Sequence, residues 1–142
     1  MKFLSLIFSI VLTANIQAAV IGTCEGLDSI GNLIGNPVSF AQGAVRVAYV
    51  STEEPAASPD HLLVFVNGEF MSLNCFAISA QENQGGFGGI DMSKLKSSYD
   101  AKLGLLLTVP ASVWTGEDGV YNTEILKVRI NRAKEEPVVT LE

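Results

Sequence analysis

The chain has 142 residues, of which 48% are hydrophobic and 17% charged, so it carries enough apolar material for a packed core and is not a disordered chain. Its length suits one domain rather than several. Fifteen acidic residues against nine basic ones give a formal charge of −6, which disfavours nucleic acid or anionic lipid as a partner, since both reward Lys and Arg on the contacting face.

Met1 to Ala18 has the three parts of a secretory signal: Lys2 as the positive start, an apolar segment from Phe3 to Leu12, and Ile16-Gln17-Ala18 as the cleavage site. A membrane anchor fits less well. Ser5, Ser9, Thr13, Asn15 and Gln17 interrupt the run, and its apolar heart is much shorter than the ~20 residues that span a bilayer. The sequence therefore predicts a signal peptide over 1–18 and a single β-domain over 19–142, periplasmic or secreted, with no integral membrane span after cleavage. The signal holds one basic residue and no acidic one, so the mature domain carries a formal charge of −7.

Ala19 to Glu25, with β-branched residues and no helical period, predicts a first strand carrying Cys24. The only other cysteine is Cys75, and an exported chain meets an oxidising compartment, so a Cys24–Cys75 disulfide is expected. In the chain-entropy description, closing a loop of about 50 residues stabilises the fold by about 4 kcal/mol. Lipid attachment at Cys24 is the rival, but Ile21-Gly22-Thr23 departs from the Leu-small-small pattern that precedes a lipid-modified cysteine. Residues 26–37, punctuated by Gly, Asn and Pro37, read as turns.

Val38–Phe40 and Ala44–Val50 flank Ala41-Gln42-Gly43, a three-residue hairpin connection, and Val45, Val47 and Tyr49 alternate as in a half-buried strand. Thr52 to Asp60 is a loop, with Pro55 and Pro59 blocking regular pairing. The segment His61 to Phe76 is the expected centre of the domain: two apolar runs around Asn67-Gly68, a dipeptide suited to a type I′ turn. A two-residue loop sets Val66 opposite Glu69, Val64 opposite Met71 and Leu62 opposite Leu73, and so assigns Leu62, Val64, Val66, Met71, Leu73 and Cys75 to one core face.

Residues 81–89 are too rich in glycine for an element interior, and Asp91 is positioned to cap one short helix through Ser97, on which Met92, Leu95 and Tyr99 recur at three- and four-residue steps. Lys102–Val109 predicts a strand covered on both faces and ended by Pro110. A connection containing Val113 and Trp114 follows. Leu126, Val128 and Ile130 then alternate with Lys127, Arg129 and Asn131 along a strand, and Val138 to Leu141 form a last short one after the break at Glu135-Glu136-Pro137. The expectation is an all-β fold, an antiparallel β-sandwich or small barrel of seven or eight strands with one short helix and one disulfide.

No catalytic set is evident. His61 is the only histidine, so any Ser-His-Asp arrangement must use it, yet its expected role is that of a polar residue opening a strand. Ser93-Lys94-Leu95-Lys96 matches a Ser-x-x-Lys string without its companion strings. The Gly-rich stretch around Phe87 lacks the Gly-Lys-Ser/Thr ending of a phosphate loop. No Asp-x-Asp-x-Asp loop gathers calcium oxygens, no Cys-x-x-Cys marks a redox site, and no metal or cofactor is expected.

If the strands run up and down in order, the loops 52–60 and 81–100 emerge at one end and gather Asp60, His61, Phe87, Asp91 and Tyr99, the candidate binding surface, although Phe87 reads more readily as a core plug than as an anchor. Trp114 belongs to the opposite end as a cap on the core. The leading functional expectation is a non-catalytic domain that binds another envelope or extracellular protein, as an adaptor or inhibitor. The alternatives are a subunit of a pilus-like surface assembly completed by a neighbour's strand, and a small secreted hydrolase centred on His61.

Overall fold

Two antiparallel sheets share the apolar alternation of the sequence. The structure is a computed structural model that describes residues 19–27, 33–82, 85–133 and 136–142. The expected signal peptide over 1–18, residues 28–32 of the stretch read as turns and the break at Glu135 lie outside the described residues; residues 33–37 of that stretch are strand rather than turn. The first sheet comprises β1 (Val20–Thr23), β2 (Leu33–Phe40), β3 (Val45–Ser51), β4 (Asp60–Asn67) and β5 (Leu73–Ser79), in the order β1-β5-β4-β3-β2. The second comprises β6 (Gly89–Ile90), β7 (Lys96–Asp100), β8 (Gly104–Trp114), β9 (Tyr121–Asn131) and β10 (Val138–Leu141), in the order β10-β9-β8-β6, with β7 also paired to β8.

One core lies between them. Val45, Val47, Leu62, Val64, Val66 and Ile78 of the first sheet pack with Leu107, Val109, Ala111, Val113, Leu126, Val128 and Ile130 of the second. Each fully buried aliphatic side chain of this set contributes about 1.5–3 kcal/mol relative to exposure. The molecule is thus the sandwich, not the barrel, of the two expected all-β forms, and its described part has ten strands rather than seven or eight. The extra ones are short edge pieces, β6 and β7 among them, which a count of long apolar runs passes over.

The central hairpin exists, but with another register. Asn67 pairs with Leu73, Val64 with Phe76 and Leu62 with Ile78, so the connection runs from Gly68 to Ser72 and contains a 3-10 turn over Glu69–Met71. An offset of an odd number of residues moves every side chain of the second arm to the other face. Ile78 and Phe76 therefore point into the inter-sheet core, whereas Cys75 and Ala77 lie on the outer face. Leu73, assigned to the core by the two-residue loop, is exposed.

The outer face has a core of its own. Cys24, Leu27, Val50, Leu63 and Ala77 form a second buried cluster, with Phe65 and Cys75 packed against it. The Cys24–Cys75 disulfide fixes the turn at Cys24–Leu27 over this face, where Leu27 N–H donates to the Cys24 carbonyl at 3.0 Å. The first sheet is thus covered on both sides, which accounts for the apolar character of both alternating sets in β4.

Two further expectations are corrected. The helix from Asp91 to Ser97 shrinks to a 3-10 turn over Met92–Lys94, and the chain then becomes β7, paired with Gly104–Thr108. The reason is length: two turns are marginal as an isolated helix, and the ladder to β8 supplies the backbone bonds instead. Pro110 does not end its strand, for β8 continues to Trp114. The Pro110 carbonyl accepts from Asp91 N–H at 3.0 Å, on the side away from β9, so the missing Pro N–H falls in the gap between β7 and β6 and costs no bond to β9. Nor is β8 covered on both faces: Ile125, the outer-face neighbour of Pro110, is exposed.

A candidate binding cleft at one end of the sandwich

Four connections meet at the end opposite the central hairpin turn. They are the turn after Cys24, the loop from Thr52 to Pro59, the loop between β5 and β6, and the turn between β8 and β9. Together they enclose a half-open cleft of about 920 Å³. Each wall is held by local hydrogen bonds. Thr52 Oγ1 donates to the carbonyls of Glu54 at 2.7 Å and Pro59 at 3.1 Å, and Ser58 N–H donates to the Pro55 carbonyl at 2.9 Å. The β5–β6 loop is fastened to this wall by Gly86 N–H, which donates to the Ser58 carbonyl at 3.0 Å. A side chain at Gly86 has no room: a Cβ there would stand 2.5 Å from the Asp60 carbonyl oxygen.

Trp114 forms part of the opposite wall, its indole Nε1–H donating to the Glu117 carbonyl at 2.8 Å. This places Trp114 at the same end as Thr52 and His61, not at the far end. The expected up-and-down order omitted β7. That additional strand carries the chain across the sandwich once more, so every later connection changes ends.

The same crossing separates the candidate residues. Asp60, His61 and Phe87 are together: Asp60 and Phe87 exchange backbone hydrogen bonds at 3.0 and 2.6 Å, and His61 borders the cleft. Phe87 is fully buried in the inter-sheet core, which is the plug reading. Asp91 lies on the edge of the second sheet, where it accepts from Ser93 Oγ and pairs with Lys94 Nζ at 3.0 Å. Its carboxyl is held below the usual range, first by the Ser93 hydroxyl and then by Lys94. Tyr99, at the end of β7, stands beside Phe40, Ala41 and Val45 at the hairpin end. The five residues therefore do not form one surface.

His61 sits on the outer face of β4 with 1% exposure, and its Nδ1 is hydrogen-bonded to Ser79 Oγ at 2.8 Å; Ser79 is 8% exposed. Burial pushes its pKa below the ordinary 6.5, with nearby Asp60 opposing the shift. A neutral imidazole joined to a hydroxyl is the chemistry of a Ser-His pair. Here both side chains lie within the sheet surface, and the bond satisfies two buried polar groups that would otherwise be costly. Among the described residues, no group of three or more His, Cys, Asp or Glu is arranged to hold a metal ion.

The cleft lining includes Glu25, Glu54, Glu82 and Asp118 beside Trp114, and contains no Lys or Arg among the described residues. Single carboxylates in loops carry no periodic signal, so sequence reading missed their convergence; only the clustering of acids in 52–60 and 117–118 hinted at it. Among the described residues, no helix is long and apolar enough to cross a membrane. Comparison with protein-family models, with curated proteins and with solved structures gives no match to this chain. Fold and cleft together define a single-disulfide β-sandwich with an acidic, aromatic-walled end.

Proposed function

We propose that this protein is a non-catalytic, exported binding module whose acidic end cleft takes a Lys- or Arg-bearing segment of another envelope or extracellular protein. One observation carries the reading: four carboxylate side chains and the only tryptophan of the sequence border one cleft, with no Lys or Arg in its lining among the described residues. Carboxylates gathered around one concave site attract a basic segment more strongly than the same charges spread over a flat surface. Trp114 adds a face for cation–π contact and a large apolar area. The loops that carry these side chains stand on a rigid sandwich, the usual arrangement of a recognition surface.

The test uses Trp114 as its own reporter. Titration of the mature protein with a Lys/Arg-rich peptide is expected to change the tryptophan emission, with affinity that falls as salt rises. Glu54→Gln combined with Asp118→Asn is expected to weaken binding about tenfold, as loss of charge-assisted contacts implies. Equal affinity for a neutral peptide of the same length, or an unchanged affinity in the charge-neutral variant, removes the proposal.

A further inference from the structure

The two ends of the sandwich differ in chemistry. At the hairpin end, the β2–β3 turn, the β7–β8 turn and the start of the β9–β10 connection leave a half-open groove of about 620 Å³ between the sheets. Its floor is the end of the inter-sheet core. Val45 and Ile130 are buried there, and Phe40 and Leu105 pack against the same core but remain half-buried where they line the groove. A concave apolar site of this size is of the order that takes a small molecule.

Two side chains at the rim stand ready for a ligand. Tyr99 lines the groove yet is 77% exposed, so an aromatic ring that burial would stabilise is left in water beside an apolar floor. Arg132 is exposed and pairs with no described residue, and it is the one charged side chain of the lining among the described residues. An apolar floor with one cation at its mouth is complementary to an amphiphile that has one aliphatic chain and one anionic head.

We propose that this groove binds a free fatty acid, with the chain laid along Phe40, Val45, Leu105 and Ile130, the carboxylate at Arg132 and the Tyr99 ring over the chain. Each methylene removed from water favours the bound state, and the guanidinium supplies charge-assisted hydrogen bonds to the carboxylate in a planar fork. A chain carrying an amine in place of the acid meets the same floor but is repelled at the rim. The net negative charge of the protein opposes docking onto an anionic bilayer, so the ligand is a single molecule rather than a membrane surface. The site lies at the opposite end from the acidic cleft and does not depend on what that cleft takes.

Isothermal titration of the full mature chain with decanoate, kept below its micellar concentration, tests this. One decanoate per chain is expected to bind, about tenfold more tightly than octanoate, as burial of two further methylenes implies. Decylamine is expected to bind more weakly than decanoate. Arg132→Gln is expected to weaken decanoate about fivefold, the effect of a partly exposed ion pair, and to leave the affinity for decanol unchanged. Ala101→Trp, on the exposed β7–β8 turn at the groove mouth, is expected to block decanoate while thermal melting is preserved. Flotation with phosphatidylglycerol vesicles is expected to leave the protein in solution. Absence of decanoate binding, several molecules bound per chain, equal affinity for decylamine, or undiminished binding by folded Ala101→Trp overturns the proposal, and capture by the vesicles without decanoate binding overturns it in favour of a membrane surface.

Discussion

Replacing both Cys24 and Cys75 with alanine isolates the energetics of the outer layer. The bridge spans a sequence separation of 51 residues, for which loop-closure entropy corresponds to about 4 kcal/mol of stability at room temperature. A domain of this size is typically stable by about 5–15 kcal/mol, so the variant is expected to fold with a much lower denaturation midpoint and a larger denaturant slope, since the uncrosslinked unfolded chain expands further. The bridge also holds the Cys24–Leu27 turn over Leu63, which is fully buried in the second cluster. Leu63→Ala alone is expected to cost about 2–5 kcal/mol. In the cysteine-free background the turn can lift away, and the cost should fall by more than about 0.5 kcal/mol, the usual limit of additivity between independent sites. Leu107→Ala, in the inter-sheet core, should cost the same in both backgrounds. Guanidinium denaturation followed by Trp114 emission and far-ultraviolet circular dichroism measures all of these. A double alanine variant within about 1 kcal/mol of wild type, or a Leu63 cost indifferent to the bridge, would refute the account of a tethered outer core.

Three other outcomes are expected. Burial lowers the His61 pKa below its unfolded value of 6.5, so the unfolded chain gains a proton first as the solution is acidified. Stability from this group is complete above 6.5 and is lost as pH falls from there through the lower folded-state pKa; melting temperatures measured from pH 8 to 5 should show the decline in wild type and not in His61→Gln. Asp91, Asp100 and Glu142, held low mainly by the Ser93 hydroxyl, the Leu103 N–H and Arg129 respectively, contribute their own losses only in the carboxylate range. Gly86→Ala should destabilise by about 1–3 kcal/mol, because the added carbon meets the backbone carbonyls of Asp60 and Ser58, and amide exchange should report loosening of the cleft wall. Phe70 is 96% exposed and has a φ of +52° at the hairpin tip, so Phe70→Gly should stabilise by about 1 kcal/mol in thermal melts, while Phe70→Pro should not be tolerated.

The sequence was most legible where one face of a strand is wet. Leu126, Val128 and Ile130 on β9 turn inward as their alternation predicts, and Val45, Val47 and Tyr49 on β3 do the same, although there only Arg46 on the opposite face is exposed while Ala48 and Val50 are buried. The cysteine pairing was equally plain, since two cysteines allow one bridge. Legibility failed in β5. Cys75 and Ala77 are apolar on one face and Phe76 and Ile78 on the other, so no polar residue announced which set faced the second sheet. Asn67-Gly68 invited a tight turn, and the exposed Phe70 counted as strand because a large apolar side chain in water contradicts the usual economy of burial. β7 was hidden for the opposite reason: all five of its residues are exposed, so it has no alternation to detect.

That small strand governs the candidate site. A strand with no buried residue contributes little to the core, yet it reverses the chain, and the reversal decides at which end Tyr99 and Trp114 emerge. Had the chain crossed one time fewer, Trp114 would cap the hairpin end and the acidic loops would lack an aromatic wall. The chemistry of the cleft therefore depends on the parity of strand crossings rather than on any local motif, and Glu25, Glu54, Glu82 and Asp118 converge from four separate connections for the same reason. A recognition surface assembled in this way can change its side chains one loop at a time without disturbing the alternating residues beneath it, because the bonds that hold each wall, such as Thr52 Oγ1 to Pro59 and Trp114 Nε1 to Glu117, end on backbone carbonyls and leave the carboxylates free to face the cleft.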